Sequence, residues 1–284
     1  MTENVNLQWF PGHMKKAERL IRENLKLVDV AVELLDARIP ASSQNPMLKE
    51  ILGDKPRLTV LTKSDLADEV ATNNWLKKFR AEGITALAVD SAHGKGIKNL
   101  VAAVKKLAES KTHKLAKYGA KPRSARAMVI GIPNVGKSSL INKLAGMNHT
   151  KIENRPGVTR AKQWIKIAEG LDLLDTPGIL WPKFEDKEVA LKLAWTFAIN
   201  DETYDLESSV KILLETLAKK NLAGLVARYK ISEPISTNGE ELLQEIGMKR
   251  GCIRQGGLLD EEKAIRMILS EFREGKLGKI TLDD

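Results

Sequence analysis

The sequence predicts an α/β fold of the P-loop NTPase type with a doubly wound parallel sheet, followed by a small all-α domain. Before residue 180, short apolar runs that suit buried strands alternate with stretches of helical spacing, as in parallel sheets. After residue 187, five helical patterns follow one another and no convincing strand interrupts them. We therefore expect residues 1–185 to form the P-loop domain and residues 186–284 to form the helical domain.

The elements follow in chain order from the same patterns. Helices are predicted at 15–27, 45–52, 71–82, 97–110 and 139–144, and in the second domain at 189–199, 209–219, 222–229, 240–246 and 261–274. Strands are predicted at 28–35, 57–61, 84–89, 127–130, 163–168 and 171–174, the last two as a hairpin. A basic stretch between Ser110 and Arg126 holds six Lys/Arg and no acid. It is either a solvated connector or a phosphate-contacting patch.

Composition limits the class of protein. The 284 residues are 43% hydrophobic and 29% charged, which is ordinary for a globular chain, and allow about two domains. A formal net charge of +9 favours a polyanionic partner. The one cysteine, Cys252, excludes an internal disulfide framework. No run is long and apolar enough for a membrane span, and Met1–Gln8 lacks a signal-peptide core, so we expect a cytoplasmic monomer with no membrane contact.

The motif at the centre of the chain is Gly131-Ile132-Pro133-Asn134-Val135-Gly136-Lys137-Ser138, which reads G-x-x-x-x-G-K-S. A strand before it and a helix after it provide the context that a P-loop requires. Its backbone N–H groups can surround phosphate oxygens, Lys137 would reach the β- and γ-phosphates, and the Ser138 hydroxyl would bind Mg²⁺. The predicted phosphate-binding residues are Asn134, Val135, Gly136, Lys137, Ser138 and Ser139.

Further motifs indicate GTP. Asp175-Thr176-Pro177-Gly178 ends a strand, so that Asp175 can reach Mg²⁺ through water and the Gly178 N–H can bond the γ-phosphate. Thr159 can supply a second hydroxyl to Mg²⁺. Thr62-Lys63-Ser64-Asp65 ends another strand, where the Asp65 carboxylate would accept from guanine and reject adenine, and the Lys63 stem would lie over the base. Asp90-Ser91-Ala92 can place a backbone N–H near guanine O6.

The order of these motifs identifies a family. Thr62–Asp65 and Ser91-Ala92 precede the P-loop, whereas most translation-factor-related GTPases carry them after it. With Trp9-Phe10-Pro11-Gly12-His13-Met14 and Asp36-Ala37-Arg38-Ile39-Pro40, the chain closely resembles the ribosome biogenesis GTPase A (YlqF) family of circularly permuted GTPases along its full length. The resemblance implies a GTPase that binds GTP and GDP and acts on the precursor of the large ribosomal subunit, with rRNA as partner, at a late assembly step.

One departure concerns the guanine motif, which is usually Asn-Lys-x-Asp. Thr62 replaces the Asn, which can both bond guanine N7 and brace the P-loop. Because Asp65 still carries guanine discrimination, the sequence predicts GTP over ATP, with weaker affinity than the family's norm.

Hydrolysis needs a group to position water, and the residue after Gly178 is Ile179 rather than Gln. His13 is the best candidate within the chain, supported by the resemblance; the alternative is a solvent-facing histidine beside a hydrophobic anchor. Asn134 either coordinates K⁺, as in related GTPases, or is a structural P-loop residue.

Two further alternatives stay open. In the helical domain an RNA-contacting face and a solvated basic surface are both possible, the residues being Lys249, Arg250, Arg254 and Lys276. The other function classes are a regulatory GTPase switch acting on a protein partner without RNA, and a scaffold that binds RNA without hydrolysing GTP.

Overall fold

The computed structural model describes residues 12–117, 123–146, 164–168, 170–174, 176, 178–181 and 186–284, with side chains at all of these except 12–17 and 110–117. The chain divides into two compact units. Over the described residues, one unit takes in 12–181 together with 283–284, which we call the nucleotide unit, and the other takes in 186–282, which we call the helical unit. Among the helices of the described residues, none has the length and apolar character needed to cross a bilayer.

The nucleotide unit is built on a six-stranded sheet, counted over the described residues. The strands are β1 (Val30–Asp36), β2 (Arg57–Thr62), β3 (Thr85–Ala88), β4 (Ala125–Gly131), β5 (Trp164–Ala168) and β6 (Leu171–Leu174). Their spatial order is β3-β2-β1-β4-β6-β5, and every neighbouring pair is parallel except the β5–β6 hairpin. The predicted parallel sheet and the predicted hairpin are thus confirmed.

Helices cover both faces of this sheet. They are α1 (Gly12–Leu25), α2 (Pro46–Leu52), α3 (Glu69–Ala81), α4 (Ile97–Lys117) and α5 (Lys137–Gly146). One face packs on α1, α2 and α3, where Ala31 and Leu35 of β1 lie in apolar clusters. Side chains alternate along a strand, so Val30, Val32 and Leu34 face the other side, and there α4 contacts β1, β2 and β4. Burial of all seven β1 residues follows from this arrangement.

Helix α4 runs seven residues past its predicted end at Ser110. No Gly or Pro interrupts the chain before Gly119, and Lys, Leu and Ala favour helix, so the basic stretch continues the helix. Beyond the helix, Arg123 forms two hydrogen bonds of 2.8 Å to the carboxylate of Asp29, which is fully buried. This ion pair gives Arg123 a structural role within the basic stretch, for which a solvated connector and a phosphate-contacting patch were the two predicted roles.

The helical unit consists of α6 (Lys187–Trp195), α7 (Leu206–Lys220), α8 (Leu222–Tyr229), α9 (Gly239–Lys249) and α10 (Glu261–Arg273), with a short 3-10 turn at Asp201–Thr203. Helix α6 ends four residues before its predicted end. The Arg273 guanidinium donates to the carbonyls of Ala194 (2.9 Å) and Trp195 (3.0 Å) and so satisfies the last turn of the helix. Phe197 then takes a left-handed φ of 67° beneath the same guanidinium.

The loop between β1 and α2 is buried and is held from several directions. Asn45 caps α2 by accepting from Met47 N, and its side chain also donates to the Ile179 carbonyl at 3.4 Å. The backbone N–H and the hydroxyl of Ser42 both donate to the Asp283 carboxylate at 2.7 Å. Residues far apart in sequence therefore fix the conformation of this loop inside the nucleotide unit.

Candidate nucleotide-binding site

The predicted nucleotide motifs lie at the carboxyl edge of the parallel sheet. The last residue of β2, Thr62, is in register with Asp36 of β1, and Gly131 of β4 is in register with Leu34. The segments that leave β2, β3 and β4 are therefore carried to the same edge. That edge is where open α/β sheets bind ligands.

The P-loop has the backbone of a phosphate cradle. Asn134 has a φ of 55° and Gly136 a φ of 99°, so the chain turns through the left-handed region twice before α5 begins at Lys137. A Cβ on Gly131 would lie 2.8 Å from the Leu34 carbonyl, so the loop's first residue must be glycine. The N–H groups of the first turn of α5 lack helical acceptors, and Ser138 and Ser139 are exposed there. This end of the helix suits a phosphate.

Thr62 braces the P-loop from the guanine side. Its hydroxyl lies 2.6 Å from the Val135 carbonyl and 2.9 Å from the Leu35 carbonyl, and it has one proton to donate to them. The shorter distance is the one to the P-loop. Threonine thus keeps one of the two tasks of the usual asparagine, the brace, within a fully buried position.

Replacing Thr62 with Val keeps the shape and removes the hydroxyl. We expect the free energy of unfolding to fall by about 1–2 kcal/mol because a buried carbonyl loses its donor, with weaker nucleotide binding as the P-loop loosens. Urea denaturation with and without GDP measures both effects. The matched control is Thr59→Val, at another buried position of β2 three residues before the strand ends. Equal nucleotide affinity in wild type and Thr62→Val would contradict the brace.

The loop after β3 is organised by Asp90. Its carboxylate accepts from the His93 backbone N–H at 2.9 Å and lies 2.7 Å from His93 Nδ1. Burial raises the pKa of Asp90, but these hydrogen bonds outweigh it and leave the pKa below its usual value. Asp90 therefore shapes the turn that contains Ser91 and Ala92.

Asp65 lies beside this turn. A carboxylate oxygen of Asp65, one of Asp90 and a ring nitrogen of His93 all lie within 4.8 Å of one another. Asp65 is half-buried, whereas Asp90 is almost fully buried. The two loops predicted to recognise guanine are thus brought together by the fold, as their strand-end positions required.

The segment after β6 lies against the P-loop. The Thr176 hydroxyl donates to the Val129 carbonyl, and the Ile179 N–H donates to the Gly131 carbonyl at 3.0 Å. A Cβ on Gly178 would lie 2.9 Å from backbone atoms of Pro133 and 3.2 Å from Lys137 Nζ. Gly178 is therefore placed where its N–H can serve the same phosphate as the P-loop.

Three predicted residues have no described side chain. Thr159 and Asp175 lie outside the described residues, and His13 is the second residue of α1 with no side chain described. Ile179, which stands where many GTPases carry a water-positioning Gln, is buried in the core beneath α1 and α2. The position after Gly178 consequently has a packing role.

The basic residues proposed for an RNA-contacting face of the helical unit are all in ion pairs. The distances between charged atoms are 2.9 Å for Lys249–Glu245, 3.2 Å for Arg250–Glu271, 3.2 Å for Arg254–Asp260 and 2.6 Å for Lys276–Glu274. Each cation therefore has an acidic neighbour, which weakens its attraction for a phosphate backbone.

Sequence reasoning quoted two further residues of the nucleotide site within motifs but assigned neither of them a role. Thr176 ties the segment after β6 to β4, and Asp36 holds the side chain of Lys63 at 2.9 Å. Asp36 could have been found, because an acid that ends a buried strand must meet a cation or a donor. Thr176 gave no signal beyond its place within the Asp175–Gly178 motif.

Comparison with known proteins agrees with this geometry. Residues 126–228 match the family model described as 50S ribosome-binding GTPase. Ribosome biogenesis GTPase A of Bacillus cereus is 48% identical over 277 residues, covering 98% of this chain and 93% of that protein. This chain belongs to the ribosome biogenesis GTPase A (YlqF) family. The predicted family and the predicted P-loop fold class are therefore confirmed.

Other members of the YlqF family support the same assignment. Ribosome biogenesis GTPase A of Priestia megaterium is 48% identical and covers 99% of this chain and 97% of its own length. The crystal structure of GNP-bound YlqF from T. maritima is 27% identical, has a TM-score of 0.67, and covers 94% of this chain and 97% of that one. The likeness thus includes both units of the chain.

Proposed function

We propose that this protein is a GTPase that binds the precursor of the large ribosomal subunit and couples GTP binding and hydrolysis to a late assembly step. The observation that carries the proposal is the contact between Thr62 and the Val135 carbonyl, which joins the guanine loop to the P-loop. With Asp65 on one side of that contact and Lys137 on the other, the site suits a guanine base and its phosphates. The ribosomal part of the proposal is supported by the names of the relatives, which are ribosome biogenesis GTPases.

The guanine motifs precede the P-loop in the chain, which is the order of a circularly permuted GTPase. In this arrangement Asp65 accepts from the guanine N1–H and 2-amino group, the stem of Lys63 covers the base, and Ser91-Ala92 presents an N–H to O6. The P-loop and Gly178 hold the phosphates.

The charge distribution indicates which part of the chain attracts rRNA. Residues 1–185 carry 31 Lys/Arg against 19 Asp/Glu, a net charge of +12, whereas residues 186–284 carry 15 against 18, a net charge of −3. The excess of positive charge therefore belongs to residues 1–185, which hold the predicted P-loop domain. We propose that this part supplies the salt-sensitive share of subunit binding.

A metal ion is part of this proposal, because GTPases generally use Mg²⁺. Ser138 is exposed in the first turn of α5 and fits a magnesium ligand, with Thr159 and Asp175 (through water) as the other proposed ligands. The ion would neutralise charge on the β- and γ-phosphates.

We propose K⁺ as a second ion, held by Asn134. Asn134 is exposed and left-handed, which places it at the outer edge of the P-loop. We expect faster hydrolysis in KCl than in NaCl at equal ionic strength, because a cation of the right size adds positive charge between the phosphates. Phosphate release assays in the two salts measure the difference. Equal rates would leave Asn134 with its structural role.

The deciding experiment is GTP hydrolysis with and without large ribosomal subunits. We expect the subunit to stimulate the rate, because no water-positioning side chain follows Gly178. We further expect His13→Ala to reduce the stimulated rate by about 10²-fold, the usual contribution of a positioned acid–base group, with GTP binding retained. His149→Ala serves as the control histidine. An unstimulated wild type would count against the ribosomal role, and unchanged stimulation in His13→Ala would exclude His13.

The competing function is a regulatory GTPase switch that acts on a protein partner without RNA. The ion pairs of the helical unit favour this function, because paired cations attract RNA less strongly. Co-sedimentation with ribosomal subunits that is stronger with a GTP analogue and weaker at high salt would support the ribosomal function. Binding that does not change with salt concentration would support the switch.

A further inference from the structure

Asp36, the last residue of β1, lies at the centre of a buried charge cluster. Its Oδ1 accepts from the Arg38 backbone N–H at 3.1 Å and from Arg38 Nε at 2.9 Å. Its Oδ2 accepts from Arg38 Nη2 at 2.7 Å and lies 2.9 Å from Lys63 Nζ. The side chains of Asp36 and Arg38 are 1% and 2% exposed, and that of Lys63 is 23% exposed. One buried carboxylate is thus paired with two cations, one buried and one partly exposed.

Arg38 contacts both oxygens of the Asp36 carboxylate, whereas Lys63 contacts one. The guanidinium takes both carboxylate oxygens in a fork, which fixes the plane of the carboxylate. Burial by itself would raise the pKa of Asp36, but the charges and hydrogen bonds of Arg38 and Lys63 hold it far below its usual value. Asp36 is therefore an anion with a fixed orientation, and one of its oxygens is aimed at Lys63.

Lys63 is held at both ends. Its backbone leaves β2 with a left-handed φ of 54°, and its ammonium forms an ion pair with Asp36. Between these ends, its Cε passes 4.0 Å from where a Cβ on Gly136 would lie. The aliphatic stem is thus stretched beside the P-loop on the guanine side, while a lysine in solvent would sample many rotamers.

We propose that Asp36, oriented by Arg38, is a positioning residue that sets guanine-nucleotide affinity through Lys63. Asp36 itself does not touch the nucleotide. It fixes the conformation of the lysine stem before the base binds. The conformational entropy of this side chain is therefore lost on folding and does not weaken nucleotide binding. This inference rests on the proposed guanine-nucleotide function of the site.

The test is a double-mutant cycle on Asp36→Asn and Lys63→Met, read as the Kd for mant-GDP. Asn keeps the shape of Asp36 and removes its charge, and Met keeps the apolar stem without the ammonium. We expect Asp36→Asn to raise the Kd by roughly tenfold in the wild-type background and to have little further effect in Lys63→Met. An unchanged Kd in Asp36→Asn, or an equal rise in both backgrounds, would overturn the proposal.

The matched control is Glu33→Gln, which removes the other acidic residue of β1. Glu33 is 6% exposed and is paired with Arg57 of β2 at 3.4 Å, so it tests whether losing any buried charge from this strand pair weakens binding. We expect Glu33→Gln to leave the Kd for mant-GDP unchanged; a rise equal to that in Asp36→Asn would refute a specific role. A wild type that fails to bind mant-GDP would instead refute the proposed function.

A second measurement needs no variant and covers the case in which Asp36→Asn does not fold. The nucleotide-free wild type is treated with an amine-acetylating reagent, and Lys63 is compared with the exposed Lys98 by mass spectrometry. Lys63 should react at least tenfold more slowly, because its ammonium is held by a buried carboxylate. Equal reactivity of the two lysines would overturn the proposal.

Discussion

Asp65→Asn should change the base that this protein prefers from guanine to xanthine. The carboxylate accepts two hydrogen bonds from guanine, and the Asn amide would oppose the guanine 2-amino group with a second donor. Xanthine has a carbonyl at that position and would accept from the amide. Mispaired polar groups in a binding site cost binding free energy, so we expect the Kd for GDP to rise by about 10³-fold. The Kd for XDP should then be smaller than that for GDP.

Titration of mant-GDP and mant-XDP measures this exchange of preference. Asp68→Asn is the matched control, because Asp68 lies three residues further on and caps α3 by accepting from Ala71 N at 2.7 Å. Asn can make the same cap, so this variant should keep the wild-type preference for GDP. If Asp65→Asn retained that preference as well, guanine would have to be recognised elsewhere.

Gly178→Ala should abolish most hydrolysis while leaving the fold in place. The added Cβ would lie 2.9 Å from the backbone N and Cα of Pro133, atoms that cannot move without shifting the P-loop. It would also lie 3.2 Å from Lys137 Nζ. A displacement of about 1 Å at reacting groups can cost about 10²-fold in rate, which is the loss that we expect in single-turnover GTP hydrolysis.

Gly146→Ala provides the control for this substitution. Gly146 ends α5, and a Cβ added there would meet no atom within 4 Å and would need no left-handed backbone, so alanine fits. Its hydrolysis rate should equal that of the wild type. A wild-type rate in Gly178→Ala would show that the segment after β6 moves away from the P-loop during catalysis.

The sequence was sufficient to predict the sheet and the edge at which the site lies. The strand ends predicted from apolar runs, at residues 61, 89 and 130, lie within one residue of the observed ends at Thr62, Ala88 and Gly131, and the parallel fold then brings the following loops together. Contacts between distant side chains could not be predicted in this way. The Arg123–Asp29 pair joins residues 94 apart, and Arg273 ends α6 from 78 residues away.

The role of Thr62 shows the same limit. The sequence predicts that threonine in place of asparagine weakens nucleotide binding, because its side chain is shorter. In the structure the hydroxyl still reaches the Val135 carbonyl, because β2 ends close enough to the P-loop for a short side chain. Distances of this kind depend on how β1 spaces its two neighbours, and no local pattern records that spacing.

The strand order also has a consequence for local unfolding. Residues 30–88 form β1, β2 and β3, and residues 125–174 form β4, β5 and β6, so each half of the sheet is one continuous stretch of chain. Among the described strands, the β1–β4 pairing joins the halves. With the nucleotide placed as proposed, the base is held by the first half and the phosphates by the second. The bound nucleotide then joins the two halves across the β1–β4 pairing. It lowers the population of molecules in which the halves are separated, and the decrease is larger when the nucleotide binds more tightly.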